Sequence, residues 1–340
     1  MQNIIDPWRV NAGDFPRKGS PANQWEFLLR YAVLAPSSHN TQPWLFHLNG
    51  IKLELRADRR RSCPVVDPEG RQLLMSCGCA LFHLRCALHY FGNMGTVTLF
   101  PDAQSPDLVA TLTLGQSSGV TSGESALLAG IPGRRTHRQP FKSIPIPATM
   151  IEALSDAALT EGAWLQVIGD DDTRFAVADL VAEGDRRQWA SRDFRLELSR
   201  WVHADHSARR DGIPGYAQSV DDLLSSAGPM IIRTFDMGDG QAAKDHDVAM
   251  GSPALAILGT DGESAADWVA AGQALARILL RARTEGISAS FLNQPVELPD
   301  LRLKLRDLGG RGGYPQVLLR LGFASDVRPT PRRHLEELLV

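Results

Sequence analysis

Gly78, Ala80, Leu81 and Gly92 recur 194 positions later as Gly272, Ala274, Leu275 and Gly286. Such self-similarity constrains a fold more than local propensity does, because two copies of one pattern call for two copies of one unit. Each copy reads as a long helix with one apolar face: Leu81, Leu84 and Leu88 in the first, Leu275, Ile278, Leu279 and Ala282 in the second. Gly92 and Gly286 stop these helices. Upstream, Leu34 and Trp44-Leu45 are echoed at a displacement of 120 by Leu154 and Trp164-Leu165, each time as a helix followed by a β-like run. Downstream, Leu112-Thr113-Leu114-Gly115 is echoed by Leu319-Arg320-Leu321-Gly322 at the end of a strand. The order is helix, strand, long helix, strand in both, which predicts a duplication.

The copies are unequal. Trp44 to Gly78 spans 34 positions and Trp164 to Gly272 spans 108, so the second carries about 74 extra residues. The predicted organisation is an N-terminal arm at 1–24, a first half at 25–115, a linker at 116–124, and a second half at 125–340 with an insert at about 170–261. Within the insert, Phe194, Leu196, Leu198, Trp201 and Val202 predict a helix, followed by the break Gly212-Ile213-Pro214-Gly215 and a second helix through Leu223-Leu224. A long structured insertion is either a lid or a peripheral packing element. As a lid, it would lay Trp189, Phe194 and Trp201 across a site and hinge at Gly212 and Gly215.

With 43% hydrophobic residues, core material for two packed units is not limiting. The net charge of −3 excludes a general attraction to nucleic acid or anionic membrane and favours a small-molecule partner. The N-terminus lacks the basic start and apolar run of a secretory signal, and no stretch has the roughly 18 consecutive apolar residues of a membrane span, so a cytoplasmic location is expected. Cys63, Cys77, Cys79 and Cys86 read as small buried apolar side chains, since Cys77-Gly78-Cys79 has poor spacing for zinc. His203 and His206 read as surface helix histidines, and Asp170-Asp171-Asp172 as a turn.

Two segments carry chemistry. Ala35-Pro36-Ser37-Ser38-His39-Asn40-Thr41-Gln42-Pro43-Trp44 is a polar loop bracketed by two prolines, which fix its backbone and leave hydroxyls, amides and backbone donors in a set arrangement. Gly133-Arg134-Arg135-Thr136-His137-Arg138 offers three permanently charged forked donors, suited to a phosphate or to an electron-rich ring edge. By themselves these segments also fit a helix-terminal turn and a solvated charge run.

Together, Pro-Ser-Ser-x-Asn-x-Gln-Pro-Trp at 36–44 and Arg-Arg-Thr-x-Arg at 134–138 resemble the two FMN-binding signatures of the nitroreductase family. The ending Pro329-Thr330-Pro331-Arg332-Arg333-His334-Leu335-Glu336-Glu337-Leu338 and the duplicated layout resemble its Acg-like branch. The resemblance implies an α+β nitroreductase-like fold: a single-chain pseudo-dimer of two unequal repeats with mixed sheets and long central helices. It implies FMN clasped between the halves, with Arg134, Arg135, Thr136 and Arg138 on phosphate, ribityl chain and pyrimidine edge, and Pro36, Ser37, Ser38, Asn40 and Gln42 closing from the other half. Leu292 and Asn293 would lie near the redox-active ring, and Arg332 or Arg333 would add a phosphate contact. Asn293 and Gln294 replace the family's usual acidic residue and glycine, a departure that bears on hydride-transfer geometry.

The implied function is an oxidoreductase reduced by NAD(P)H and passing electrons to a nitroaromatic, quinone or related acceptor, with no catalytic side chain required because the flavin carries the chemistry. The alternative is a non-catalytic, flavin-sequestering protein under a closed lid; a third reading is an interaction protein whose flavin site has decayed. One FMN per chain is expected. The first half has no Arg-Arg-Thr-x-Arg counterpart, and Glu161-Gly162-Ala163 stands where Thr41-Gln42-Pro43 stands in the first copy. The chain would act as a monomeric pseudo-dimer, with further homodimerisation left open.

Overall fold

The computed structural model describes residues 6–116, 119–218 and 222–340. The first half runs α1 (Pro21–Ala32), β1 (Trp44–Asn49), β2 (Lys52–Ala57), α2 (Arg71–Tyr90), β3 (Met94–Leu99) and β4 (Leu108–Leu114). The second begins with α3 (Ser122–Gly130), α4 (Ala148–Thr160) and β5 (Trp164–Ile168). Next come α5 (Asp171–Ala190), α6 (Arg192–Trp201), the short β6 (Val202–His203) and β7 (Ile213–Pro214), α7 (Asp222–Thr234) and α8 (Gly238–Met250). It closes with β8 (Ala254–Thr260), α9 (Ala265–Thr284), β9 (Ile287–Phe291), α10 (Gln294–Glu297), α11 (Pro299–Gly309) and β10 (Tyr314–Phe323).

Two four-stranded sheets form among the described residues, in the orders β1-β2-β4-β3 and β5-β8-β10-β9. Matching β1 to β5, β2 to β8, β3 to β9 and β4 to β10 makes the two orders identical, with α2 and α9 at equivalent places in the chain. Named strands pair antiparallel in both sheets. The mixed character expected of the sheets resides at their edges, in single parallel bridges from Leu339 to Phe46 of β1 and from Thr136 to Ala289 of β9.

The halves share one core. Leu53, Leu55 and Leu112 of the first sheet and Ala256, Leu258 and Leu319 of the second belong to a single cluster with Leu81, Leu84, Ile278 and Leu279 of the two long helices. Gly78 and Gly272 let those helices cross in backbone contact: a Cβ on Gly272 would sit 2.0 Å from the Met75 carbonyl oxygen, and one on Gly78 would sit 2.4 Å from that of Val269. At their C-terminal ends, Gly92 and Gly286 take left-handed φ values of 74° and 72°, where glycine carries no Cβ penalty.

The strands explain the insert. In β2, buried Leu53, Leu55 and Ala57 alternate with less buried Lys52, Glu54 and Arg56, the pattern of a sheet with one wet face. All of β8 is buried. Its Ala254, Ala256 and Leu258 face the shared core, whereas Leu255 and Ile257 face a second cluster holding Val177, Ala178 and Val181 of α5 and Ala249 of α8. The start and end of the insert are therefore a packing layer. Residues 254–260, assigned to the insert from the sequence, are a central strand instead. Between α5 and α8, α6 and α7 build a third cluster with Cys63 and Val66 of the first half.

Smaller differences have local causes. Asp170 is the N-cap of α5 and not a turn residue; its carboxylate accepts from the Thr173 amide at 2.8 Å. His203 lies on β6 and not on a helix, 3.5 Å from Asp211. The linker overlaps α3, which Thr121 and Glu124 start with a capping box. All four cysteines are free and buried. Among the described residues no group of side chains could hold a metal ion, and no helix is long and apolar enough to cross a membrane.

If the α2–α9 crossing sets the spacing of the two sheets, Gly272→Ala must push backbone apart. The helix propensity gained from alanine, about 1 kcal/mol, is outweighed by a clash with a carbonyl that no rotamer can relieve. A net loss of roughly 1–3 kcal/mol is expected. It is read from the urea midpoint of unfolding, and an unchanged or raised midpoint would contradict the close crossing.

Candidate functional site

A cavity of about 620 Å³ opens where the halves meet. Its walls come from the loop after α1, from α2 and α9, from residues 134–139, from the end of β9, from the C-terminal segment, and from α5, α6 and α8.

The loop after α1 is strained. His39, Asn40 and Gln42 all take left-handed φ values, 47°, 55° and 52°, which non-glycine residues rarely adopt. Distant segments hold it there. Asn40 Nδ2 donates to the carbonyls of Gly212 at 2.9 Å and Pro331 at 3.1 Å, and its Oδ1 accepts from Arg332 Nη1 at 2.8 Å. The Gly212 amide donates back to the Asn40 carbonyl at 3.2 Å. Ser37 Oγ accepts from the Gln42 amide at 2.9 Å, and Ser38 Oγ donates to Gln72 Oε1 at 2.6 Å.

Pro36, Ser37, Ser38 and Asn40 consequently line the cavity. Gln42 and Arg333 do not. Gln42 is fully buried behind the loop, where its Nε2 donates to the Arg210 carbonyl at 2.9 Å and its Oε1 accepts from the Arg333 amide at 2.8 Å. The Arg333 guanidinium donates Nη1 and Nη2 to the carbonyls of Gln42 and Glu337, and only its Nε has no hydrogen-bond partner. These two residues fasten the loop to the C-terminal segment.

Residues 134–138 run beside β9, with the His137 amide bonded to the Ala289 carbonyl at 2.9 Å. Arg134, Arg135, Thr136 and Arg138 line the cavity, and Arg332 joins them from the C-terminal segment. Arg134 is 4% exposed, and its Nε and Nη1 have no hydrogen-bond partner; Arg332 is 2% exposed, and its Nε has none. The guanidinium groups of Arg135 and Arg332 lie 3.9 and 4.6 Å from the ring centre of Trp8, whose Nε1 donates to the Thr330 carbonyl at 2.9 Å. Burial, and then Arg135, push the Arg134 pKa down to about 10. Burial, Arg134 and Arg135 push that of Arg332 well below its ordinary value. Neither makes an ion pair with a carboxylate among the described residues. Buried like charges without a counter-ion are costly, and an anion brought to this end of the cavity relieves that cost.

Another wall is acidic and amide-rich. Leu292 and Asn293 both line the cavity; the Leu292 amide bonds to the Leu318 carbonyl at 3.0 Å and Asn293 Oδ1 accepts from the Leu318 amide at 3.1 Å, so the turn after β9 is locked to β10. Glu297 accepts from Gln72 Nε2 at 2.9 Å and from Gln188 Nε2 at 2.6 Å, yet burial raises its pKa to about 7. Of the insert aromatics, Trp189 and Phe194 line the cavity, whereas Trp201 lies outside it under the Arg61 guanidinium. Gly212 is no free hinge: a Cβ there would meet the Trp201 carbonyl oxygen at 2.4 Å.

Sequence reasoning missed Trp8, Arg320 and the acidic wall. Arg320 left a signal, a lone charge inside Val317-Leu318-Leu319-Arg320-Leu321. Trp8 left none, since the partners of its ring lie more than a hundred residues away.

The nitroreductase family model matches residues 131–299. A Mycobacterium tuberculosis H37Rv protein named "Putative NAD(P)H nitroreductase Rv3131" is 31% identical over 92% of this chain and 90% of its own length. The same organism's "Putative NAD(P)H nitroreductase acg" is 28% identical over 91% of this chain and 93% of its own. The chain belongs to the nitroreductase family. Among solved structures, the FMN-dependent nitroreductase NfnB from Mycobacterium smegmatis in complex with NADPH aligns with 63% of this chain and 96% of its own, at 19% identity and a TM-score of 0.40.

Glu297 supplies a test of the acidic wall. Its folded pKa of about 7 exceeds the ordinary 4.5, so across that window the folded chain keeps a proton the unfolded chain has lost, and stability falls as pH rises. Glu297→Gln should flatten this decline, read from urea midpoints at about pH 5, 6 and 7. A variant with the wild-type slope would show that Glu297 does not titrate in this range.

Proposed function

We propose that the cavity binds one FMN per chain and that the protein is an FMN-dependent oxidoreductase, taking electrons from NAD(P)H and passing them to a nitroaromatic, quinone or related acceptor. The observation that carries this reading is the group of buried, partly unpartnered arginines at the junction of the halves. Bound there, FMN supplies hydride and single-electron transfer between donor and acceptor. The residues present fit such a group. Arg134 and Arg332 offer unspent donors to a phosphate, with Arg135, Thr136 and Arg138 beside them. Met75 and Cys79 of α2 and Leu275 of α9 offer an apolar floor for a flat ring. Ser37, Ser38 and Asn40 border the cavity on a loop that is already fixed, so little ordering is left for binding to accomplish. Trp189 and Phe194 exclude water from the same space. Full-length relatives named as NAD(P)H nitroreductases support the choice of reductant.

A charge-assisted hydrogen bond to phosphate contributes about 1.5–3 kcal/mol. Arg134→Ala should therefore weaken FMN binding by roughly one to two orders of magnitude, measured by flavin fluorescence on titration into stripped protein. Wild-type affinity in this variant would return residues 134–138 to an ordinary charge run.

The second reading, a flavin-sequestering protein, is favoured by how firmly α6 and the segment between β6 and β7 are fastened. Glu197 accepts from the amides of Val65 at 2.9 Å and Val66 at 3.1 Å, Asp211 pairs with Arg61, and Asn40 is bonded to Gly212. We propose that residues 191–237 are the gate. The chain enters and leaves this cap at one place, because a Cβ on Gly238 would lie 3.1 Å from the Arg186 Cα and 3.2 Å from the Trp189 Cβ. In a variant with 191–237 replaced by a short glycine linker that stays folded and flavin-loaded, bleaching of the bound flavin by NAD(P)H should be faster. A folded, flavin-loaded variant that bleaches no faster would remove the cap as gate and move attention to Asn293 and Gln294.

A further inference from the structure

One wall of the cavity, built by β10, α5, α8 and the turn after β9, carries buried polar groups of both kinds that the flavin reading leaves unused. Strand alternation turns Arg320 to the face of Leu318, toward α5 and α8, while Val317, Leu319 and Leu321 face the shared core. Arg320 is 1% exposed. Its Nη2 donates to the carbonyls of His137 at 2.9 Å and Gln139 at 3.0 Å, its guanidinium lies 4.4 Å from the Phe141 ring centre, and Nη1 has no partner.

Asp185 from α5 and Asp245 from α8 reach the same cavity. Gln294 Nε2 donates to both, at 3.1 and 2.8 Å. Gln294 Oε1 has no partner, and the carboxyl of Asp185, a residue 2% exposed, is hydrogen-bonded to that of Asp245. Burial, and then Asp245, raise the Asp185 carboxyl well above the usual carboxylate range. Asp245 opposes the burial that brings Arg320 down to about 10, so the two feel each other, yet no ion pair joins them. The wall thus presents to one cavity an unspent donor, Arg320 Nη1, and an unspent acceptor, Gln294 Oε1, with the Asp245 carboxylate bonded to the same amide. Leaving such groups unpaired is expensive, and a ligand that pairs both kinds gains what a ligand pairing one cannot.

We infer that this wall is a subsite for an aromatic primary carboxamide, whose carbonyl oxygen accepts from Arg320 Nη1 and whose N–H groups donate to Asp245 and Gln294 Oε1. A carboxylate ligand would satisfy Arg320 and be repelled by the Asp245 carboxylate; an ammonium would do the reverse. A neutral group with an acceptor and a donor side by side meets both. The apolar side chains of Phe291 and Val248 line the same cavity and suit an aromatic ring. Two sources share this chemistry: the nicotinamide of a pyridine nucleotide, and an electron acceptor that itself carries an amide. The inference rests on the cavity being a ligand site, as proposed above, and does not require FMN to occupy it.

Calorimetric titration of the purified protein, with and without saturating FMN, with benzamide, acetophenone and benzoate tests it. Benzamide should bind roughly tenfold more tightly than either of the others. Asp245→Leu should abolish the advantage over acetophenone and leave acetophenone affinity unchanged; Arg320→Met should weaken benzamide and acetophenone together. Equal affinity for benzamide and acetophenone in the wild type overturns the inference. So does an Asp245→Leu variant that loses both alike, or unchanged acetophenone affinity in Arg320→Met, which stands alone if Asp245→Leu does not fold. A further titration with 1,4,5,6-tetrahydro-NADP separates the sources: weakening by Asp245→Leu assigns the amide to the reductant, and no change assigns it to the acceptor. Failure of FMN to bind in any variant leaves these results readable, so the two proposals fail separately.

Discussion

Everything in this molecule is built around the place where α2 and α9 touch without side chains between them. Gly78 and Gly272 occupy equivalent places in the two repeats, and each faces backbone of the other helix. The contact fixes how closely the two sheets approach and lets one continuous core fill the space between them. Loops from the two halves are thereby brought side by side, which is where the cavity lies. No single half contains its walls.

The cavity is an assembly of segments far apart in sequence, and the C-terminal segment secures it. Leu339 pairs with Phe46 on the edge of the first sheet, Arg332 bonds to Asn40, and the Arg333 amide bonds to Gln42. The second half therefore reaches back to hold the strained loop of the first. Backbone strain at His39, Asn40 and Gln42 persists because these bonds over-determine it, and strain of this kind gathers at functional sites. The arginines follow the same logic: among the described residues no carboxylate pairs with Arg134 or Arg332, a state that favours any anion able to enter.

The two long helices were legible because they needed only the spacing of glycines and apolar faces, and both helix-stopping glycines behave as their sequence positions imply. The cavity-lining segments at 36–40 and 134–138 were legible as motifs. The division of the insert was harder. Uninterrupted burial along β8 reads equally as strand or as buried helix, and only the packing of α5 and α8 on its outer face explains it. Gln42 and Arg333 carry the residue types of ligand contacts but spend them on each other, a pairing across 291 positions that no local pattern records. Trp8 escaped notice for the same reason, whereas Arg320, a single charge in an apolar strand, was readable and overlooked.

The central claim, that the arginines at the junction of the halves hold the phosphate of a single flavin, is tested most directly by a crystal structure of the protein grown with FMN. The account predicts one FMN per chain in the cavity, with phosphate oxygens within hydrogen-bond distance of Arg134 and Arg332. A phosphate bound away from both arginines, or a second flavin at the equivalent place in the other half, would contradict it.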